Sequence, residues 1–114
     1  MGRPVVHFEI GCRDSGKTQE FYRAMFEWRI EAMGPAAMIA PEAGGIGGHI
    51  SALGHEPFQY TTFYVDVEDV GEALKKAESL GGKTLVPAVE IPTGTFAWMQ
   101  DPEGNIVGLW KTKG

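Results

Sequence analysis

HFEIGCRD at residues 7–14 and TFYVDVED at residues 62–69 decide the reading of this chain. They align without a gap at an offset of 55 residues (7 to 62). Each is a short run rich in β-branched and aromatic residues, the pattern of a strand. Each ends on an aspartate able to cap a helix that follows. The order of elements after the two stretches is also the same, so the chain reads as one unit written twice.

In the first unit, Val5–Gly11 is predicted as a strand and Asp14 or Ser15 as the cap of a helix. Phe21, Tyr22, Met25 and Phe26 recur at helical spacing and give that helix an apolar face. Strands are predicted over Trp28–Met33, Ala36–Ala40 and Ile46–Leu53, with Gly34-Pro35 as a turn and Gly54–Pro57 as a linker. In the second unit, Tyr60–Val67 is a strand, and Asp69 with Glu72 forms a capping box. Val70, Ala73, Leu74, Ala77 and Leu80 make the helical stripe, which Gly81-Gly82 ends. Strands follow over Thr84–Ile91, Thr95–Gln100 and Ile106–Lys111. Pro87 forces an edge or a bulge in the first of them, and Asp101–Asn105 is a strong turn before the last.

The chain has 114 residues, room for one domain with a real core, here expected over 1–114 with units 5–53 and 60–111. Ten Lys and Arg against fifteen Asp and Glu give a net charge of −5, which argues against a nucleic-acid binder needing a clustered basic face. No apolar run reaches the roughly 18–20 residues of a membrane span, so no membrane partner is expected. One cysteine makes no internal disulfide, and no signal-peptide pattern precedes Val5; the expected location is cytoplasmic.

The paired βαβββ units, the HFEI strand, Phe21-Tyr22, Phe26 with Trp28, and the ending DPEGN-x-x-GLW at residues 101–110 carry a family resemblance. Together they resemble the vicinal oxygen chelate superfamily of glyoxalases, bleomycin-resistance proteins and extradiol dioxygenases. Within it, the chain is similar to the small glyoxalase-like branch related to lactoylglutathione lyase. The resemblance covers nearly the whole chain. It implies an α+β fold in which two tandem βαβββ units form a curved mixed sheet around a ligand cleft, and a homodimer. It also implies four metal-ligand positions, which fall here on His7, His49, Thr62 and Gly108. Only two of these are ordinary ligands, whereas a catalytic metal generally needs three, so neither a metal nor another cofactor is expected.

Period-two alternation assigns the faces. Phe8 and Ile10 should face the helix, leaving His7 and Glu9 toward the cleft. Ile50 and Ala52 pack inward, leaving His49 and Ser51 opposite. Phe63, Val65 and Val67 form the core face of their strand, leaving Tyr60, Thr62, Tyr64 and Asp66 on the other. Trp98 and Trp110 are placed with the cleft residues, and Gly108 is expected to leave room for an apolar ligand group. His7 and Glu9 are the candidate catalytic acid-base pair. His49, Tyr60, Thr62, Tyr64, Trp98, Gly108 and Trp110 are the candidate ligand contacts.

Three functions remain open on these residues. The first is a lyase or isomerase of glyoxalase type acting on a small molecule, with a degenerate metal site. The second is a non-catalytic binding protein of bleomycin-resistance type, which sequesters an aromatic or cationic molecule. The third is an interaction protein, since fold alone does not fix function.

Overall fold

The sheet-forming runs are short and separated by turn residues, and the structure, a computed structural model, follows them closely. It describes residues 2–52 and 58–114. The expected linker Gly54–Pro57 and Leu53 lie outside the described residues. The elements are β1 (Val5–Gly11), α1 (Ser15–Phe26), β2 (Ile30–Met33), β3 (Ala36–Ile39) and β4 (Gly47–Ser51). The same order continues with β5 (Tyr60–Asp66), α2 (Val70–Ser79), β6 (Lys83–Ile91), β7 (Gly94–Gln100) and β8 (Ile106–Thr112). The class is α+β. None of the described helices is long and apolar enough to cross a membrane.

Two compact units emerge, with a boundary that differs from the one expected. The first is His7–Thr62; the second joins the residues up to Val6 with Phe63–Gly114. The first residues therefore pack with the second unit, where Asp66 N donates to Pro4 O at 2.9 Å and Arg3 pairs with Glu68 at 3.0 Å.

In the first unit the strand order is β2-β3-β4-β1. β1 and β4 run parallel, with Glu9 opposite His49 and Gly11 opposite Ser51, while the other pairs are antiparallel. Alternation then sends Phe8, Ile10, Ala37, Ile39 and Ile50 to the helix side, where they form a core with Cys12, Tyr22 and Trp28. Asp14 caps α1 by accepting from Lys17 N at 3.0 Å. The apolar stripe of α1 is not buried as expected. Phe21, Met25 and Phe26 are exposed, and Gln19 is the buried residue of the helix. Only Tyr22 turns inward, stacking on Trp28 with ring centroids 5.2 Å apart.

The second unit repeats this plan internally as β5-β8-β7-β6, with β5 parallel to β8 and the rest antiparallel. Asp69 caps α2 through Glu72 N at 2.9 Å. Its core gathers Val70, Leu74, Ala97 and Leu109, with Val67, Ala73 and Met99 at the margin. Phe63, expected in this core, is 43% exposed and takes no part in the cluster. Pro87 sits in β6, the outermost strand of this unit. The register there slips between Thr84 and Val86 and again between Val86 and Val89, and the second slip spans Pro87, which has no N–H for the ladder.

Candidate active site

A parallel pair of strands aligns the polar residues of the first unit on one face. His7 and Glu9 are on β1, His49 on β4, and Tyr60 at the start of β5. The glycines around His49 do not carry it into a loop, because the β1–β4 ladder holds it opposite Glu9. His7 Nε2 and His49 Nδ1 are 2.7 Å apart, and the two rings are stacked at a 5.0 Å centroid distance. His49 Nε2 lies 3.3 Å from Glu9 Oε1. The Tyr60 hydroxyl donates a hydrogen bond to the other carboxylate oxygen, Glu9 Oε2.

The network fixes the tautomers when every close pair must contain one proton. His49 Nε2 faces the Glu9 carboxyl group across a 3.3 Å ion-pair contact, which favours a proton on that nitrogen. His49 Nδ1 then bears a lone pair and accepts from His7 Nε2–H, which leaves the basic lone pair of His7 on Nδ1. Four side chains thus form a polar chain centred on one carboxylate, with hydrogen bonds His7–His49 and Tyr60–Glu9 joined by the His49–Glu9 ion-pair contact, and burial strengthens each link.

Electrostatics follow the burial gradient. Glu9 is 4% exposed, whereas both histidines are half-buried. Desolvation, helped by the neighbouring His49 and opposed by Glu9, lowers the His7 pKa from 6.5 to about 4. His7 is therefore neutral at pH 7. The Tyr60 phenol is pushed well above its ordinary value, first by burial, then by its hydrogen bond to Glu9 and by the Glu9 charge. Ser51 lies close enough to oppose this weakly, but off hydrogen-bonding geometry; its buried Oγ has no hydrogen-bond partner among the described residues.

The other expected residues are placed differently. Thr62 is buried on β5. Tyr64, Trp98, Gly108 and Trp110 belong to the second unit. Tyr64 and Trp98 are 5% and 7% exposed, and Trp98 Nε1 donates to the Tyr64 hydroxyl at 2.8 Å. The room expected at Gly108 is taken: a Cβ there would overlap the Tyr64 ring, with Cγ at 2.8 Å. This corrects the expectation of a ligand pocket at that position. Trp110 is half-buried, and its Nε1 donates to Thr112 Oγ1 at 2.9 Å. An open groove bordered by Arg23, Trp28, Met38 and Pro41 contains none of the expected site residues.

The glyoxalase-like domain model matches residues 6–109. The chain belongs to the glyoxalase-like domain family. Solved structures agree on the fold at low identity. A glyoxalase/bleomycin resistance protein/dioxygenase superfamily member from Vibrio splendidus is 15% identical, with TM-score 0.65, covering 98% of this chain and 100% of its own. Streptomyces coelicolor methylmalonyl-CoA epimerase, solved with 2-nitronate-propionyl-CoA, is 15% identical with TM-score 0.69, covering 100% and 99%. A Legionella pneumophila protein described as an NAD-dependent benzaldehyde dehydrogenase is 17% identical with TM-score 0.72, covering 94% and 98%. The search of curated proteins gives no match.

The metal that this glyoxalase-like family implies does not fit the residues present. Its four positions are His7, His49, Thr62 and Gly108. The facing nitrogens of His7 and His49 are engaged with each other at 2.7 Å. Gly108 has no side chain, and the space above it is filled by Tyr64. No group of three His, Cys, Asp or Glu among the described residues is arranged to hold an ion.

Sequence reasoning placed Ser51 on the His49 face but gave it no role, and it gave Gly11 none. The available signal was a glycine on a cleft-facing strand position beside a bulky aromatic strand.

Proposed function

We propose that this glyoxalase-like protein is an isomerase-type enzyme that moves a proton on a small carbon acid without a metal. The observation carrying this reading is the polar chain His7–His49–Glu9–Tyr60, two hydrogen bonds joined by one ion-pair contact. His7 Nδ1 removes a proton from the carbon beside a carbonyl, leaving an enolate. The Glu9 charge favours the resulting imidazolium, against the opposing effects of burial and of His49. The imidazolium exchanges its proton with solvent, and a proton then returns to the enolate at its other face or at the neighbouring atom, so no charge or atom is gained or lost overall. Glu9, deeper than the histidines, orients and polarises them rather than meeting the substrate. An acyl thioester is one suitable carbon acid, in view of the fold shared with methylmalonyl-CoA epimerase. Solvent deuterium incorporation into such compounds, compared between wild type and His7→Ala, tests the reading.

Non-catalytic binding of an aromatic or cationic molecule is the second reading, favoured by the incomplete metal set. It expects ligand affinity without isotope exchange. In either case we propose a homodimer in which a second copy covers the exposed Phe21, Met25 and Phe26 of α1. Sedimentation should then give twice the chain mass at micromolar protein; a monomer at high micromolar protein contradicts it.

A further inference from the structure

Tyr60 cannot reach Glu9 through an ordinary strand surface. Gly11 lies two residues beyond Glu9 on β1, on the same face, and opposite Ser51. A Cβ built on Gly11 would collide with one edge of the Tyr60 ring and stand only 2.6 Å from its Cζ. That is far inside van der Waals contact. The phenol therefore lies directly on the bare Cα of Gly11, and its hydroxyl falls on Glu9 Oε2. Any larger residue at position 11 would occupy the space of the ring. Ser51, the cross-strand neighbour, is 2% exposed and brings only a small hydroxyl to the same place.

We propose that Gly11 is a positioning residue for the proton-transfer site: it seats the Tyr60 ring so that the phenol holds Glu9 from the side opposite His49. This rests on the proton-transfer reading above, and it changes the role of Tyr60. The phenol is not a stacking surface for ligand. It is a fixed donor that occupies one carboxylate oxygen while His49 occupies the other. Glu9 is then held in a single orientation, which in turn orients His49 and His7. A carboxylate held at both oxygens loses little freedom when charge develops on His7. The phenol is suited to this because it keeps its proton over the whole physiological range.

The test needs no substrate. Proton NMR should show one hydroxyl resonance, far downfield and protected from solvent exchange, that vanishes in Tyr60→Phe and in Glu9→Gln. Gly11→Ala should abolish the same resonance, because the ring is displaced. Urea unfolding adds a second arm. Gly11→Ala should lower the midpoint in the wild-type background and leave it unchanged in a Tyr60→Ala background, where the ring is absent. If Gly11→Ala does not fold, rescue by Tyr60→Ala alone decides. Retention of the resonance in Gly11→Ala, or an equal loss of stability in both backgrounds, overturns the proposal. In the isotope-exchange assay, Gly11→Ala should be slower by about tenfold to a hundredfold. Absence of exchange in the wild type would remove the proton-transfer reading while leaving the resonance and rescue arms to judge the seating of Tyr60.

Discussion

His7 and His49 are hydrogen-bonded to each other, Nε2 to Nδ1 at 2.7 Å, across the parallel strands β1 and β4. The bond is diagonal in the ladder, since His49 itself stands opposite Glu9. Burial disfavours a proton on His7, and the neighbouring His49 disfavours it further, against the Glu9 charge.

The pH dependence of stability follows from this. The folded His7 pKa is about 4, below the ordinary 6.5. Between these values the unfolded chain binds more protons than the folded one, so stability rises with pH. The contribution is complete above about pH 6.5 and is lost as pH falls toward 4. Urea midpoints should therefore drop between pH 7 and pH 5, and His7→Asn should make the profile flatter over that interval. A wild-type profile no steeper than that of His7→Asn would contradict the assignment.

Gly108 is intolerant for a reason independent of chemistry. The Tyr64 ring covers its Cα, and that ring is held by Trp98 Nε1. Gly108→Ala should destabilise the fold by about 1–3 kcal/mol through overpacking. Thermal or urea unfolding measures it, and a neutral effect would mean that Tyr64 is not seated as described.

Metal should contribute nothing to activity or stability. With Gly108 and Thr62 at two inherited positions, and the facing nitrogens of His7 and His49 bonded to each other, three good donors do not converge. Elemental analysis of purified protein should find substoichiometric zinc, nickel and iron, and treatment with chelator should leave unfolding and ligand affinity unchanged. A stoichiometric ion within about 2.0–2.2 Å of His7 and His49 nitrogens would contradict this.

Much of the fold was legible because period-two alternation is a strict rule where one face is buried. It correctly sent Phe8, Ile10 and Ile50 to the first core and left Glu9 and His49 on one face. Both helix caps could be read from Asp14 and Asp69. Phe63 was misread because alternation gives a face but not whether that face is covered at a given position; Phe63 is exposed while Thr62 and Tyr64 beside it are buried. The α1 stripe was misread for a related reason: spacing identifies an apolar face, and packing decides which face turns inward. The site was only half legible. His7, Glu9 and His49 could be listed as cleft residues, but their bonds to one another depend on ladder register. Tyr60 donating to Glu9 joins residues 51 positions apart, which no local pattern encodes. Gly108 was read as open space and Gly11 was given no role; each is covered by a tyrosine ring.

Solvent deuterium incorporation at carbon is the most direct test of a metal-free proton-transfer site. Small carbonyl compounds and acyl thioesters would be incubated with chelator-treated protein in deuterated buffer and followed by proton NMR. Wild-type protein should accelerate exchange at the carbon beside the carbonyl for at least one compound. His7→Ala should lose roughly 10²–10⁴-fold of that rate, and Glu9→Gln should fall in the same direction. No exchange above buffer with wild-type protein across the panel, or an equal rate with His7→Ala, would contradict the proposed function.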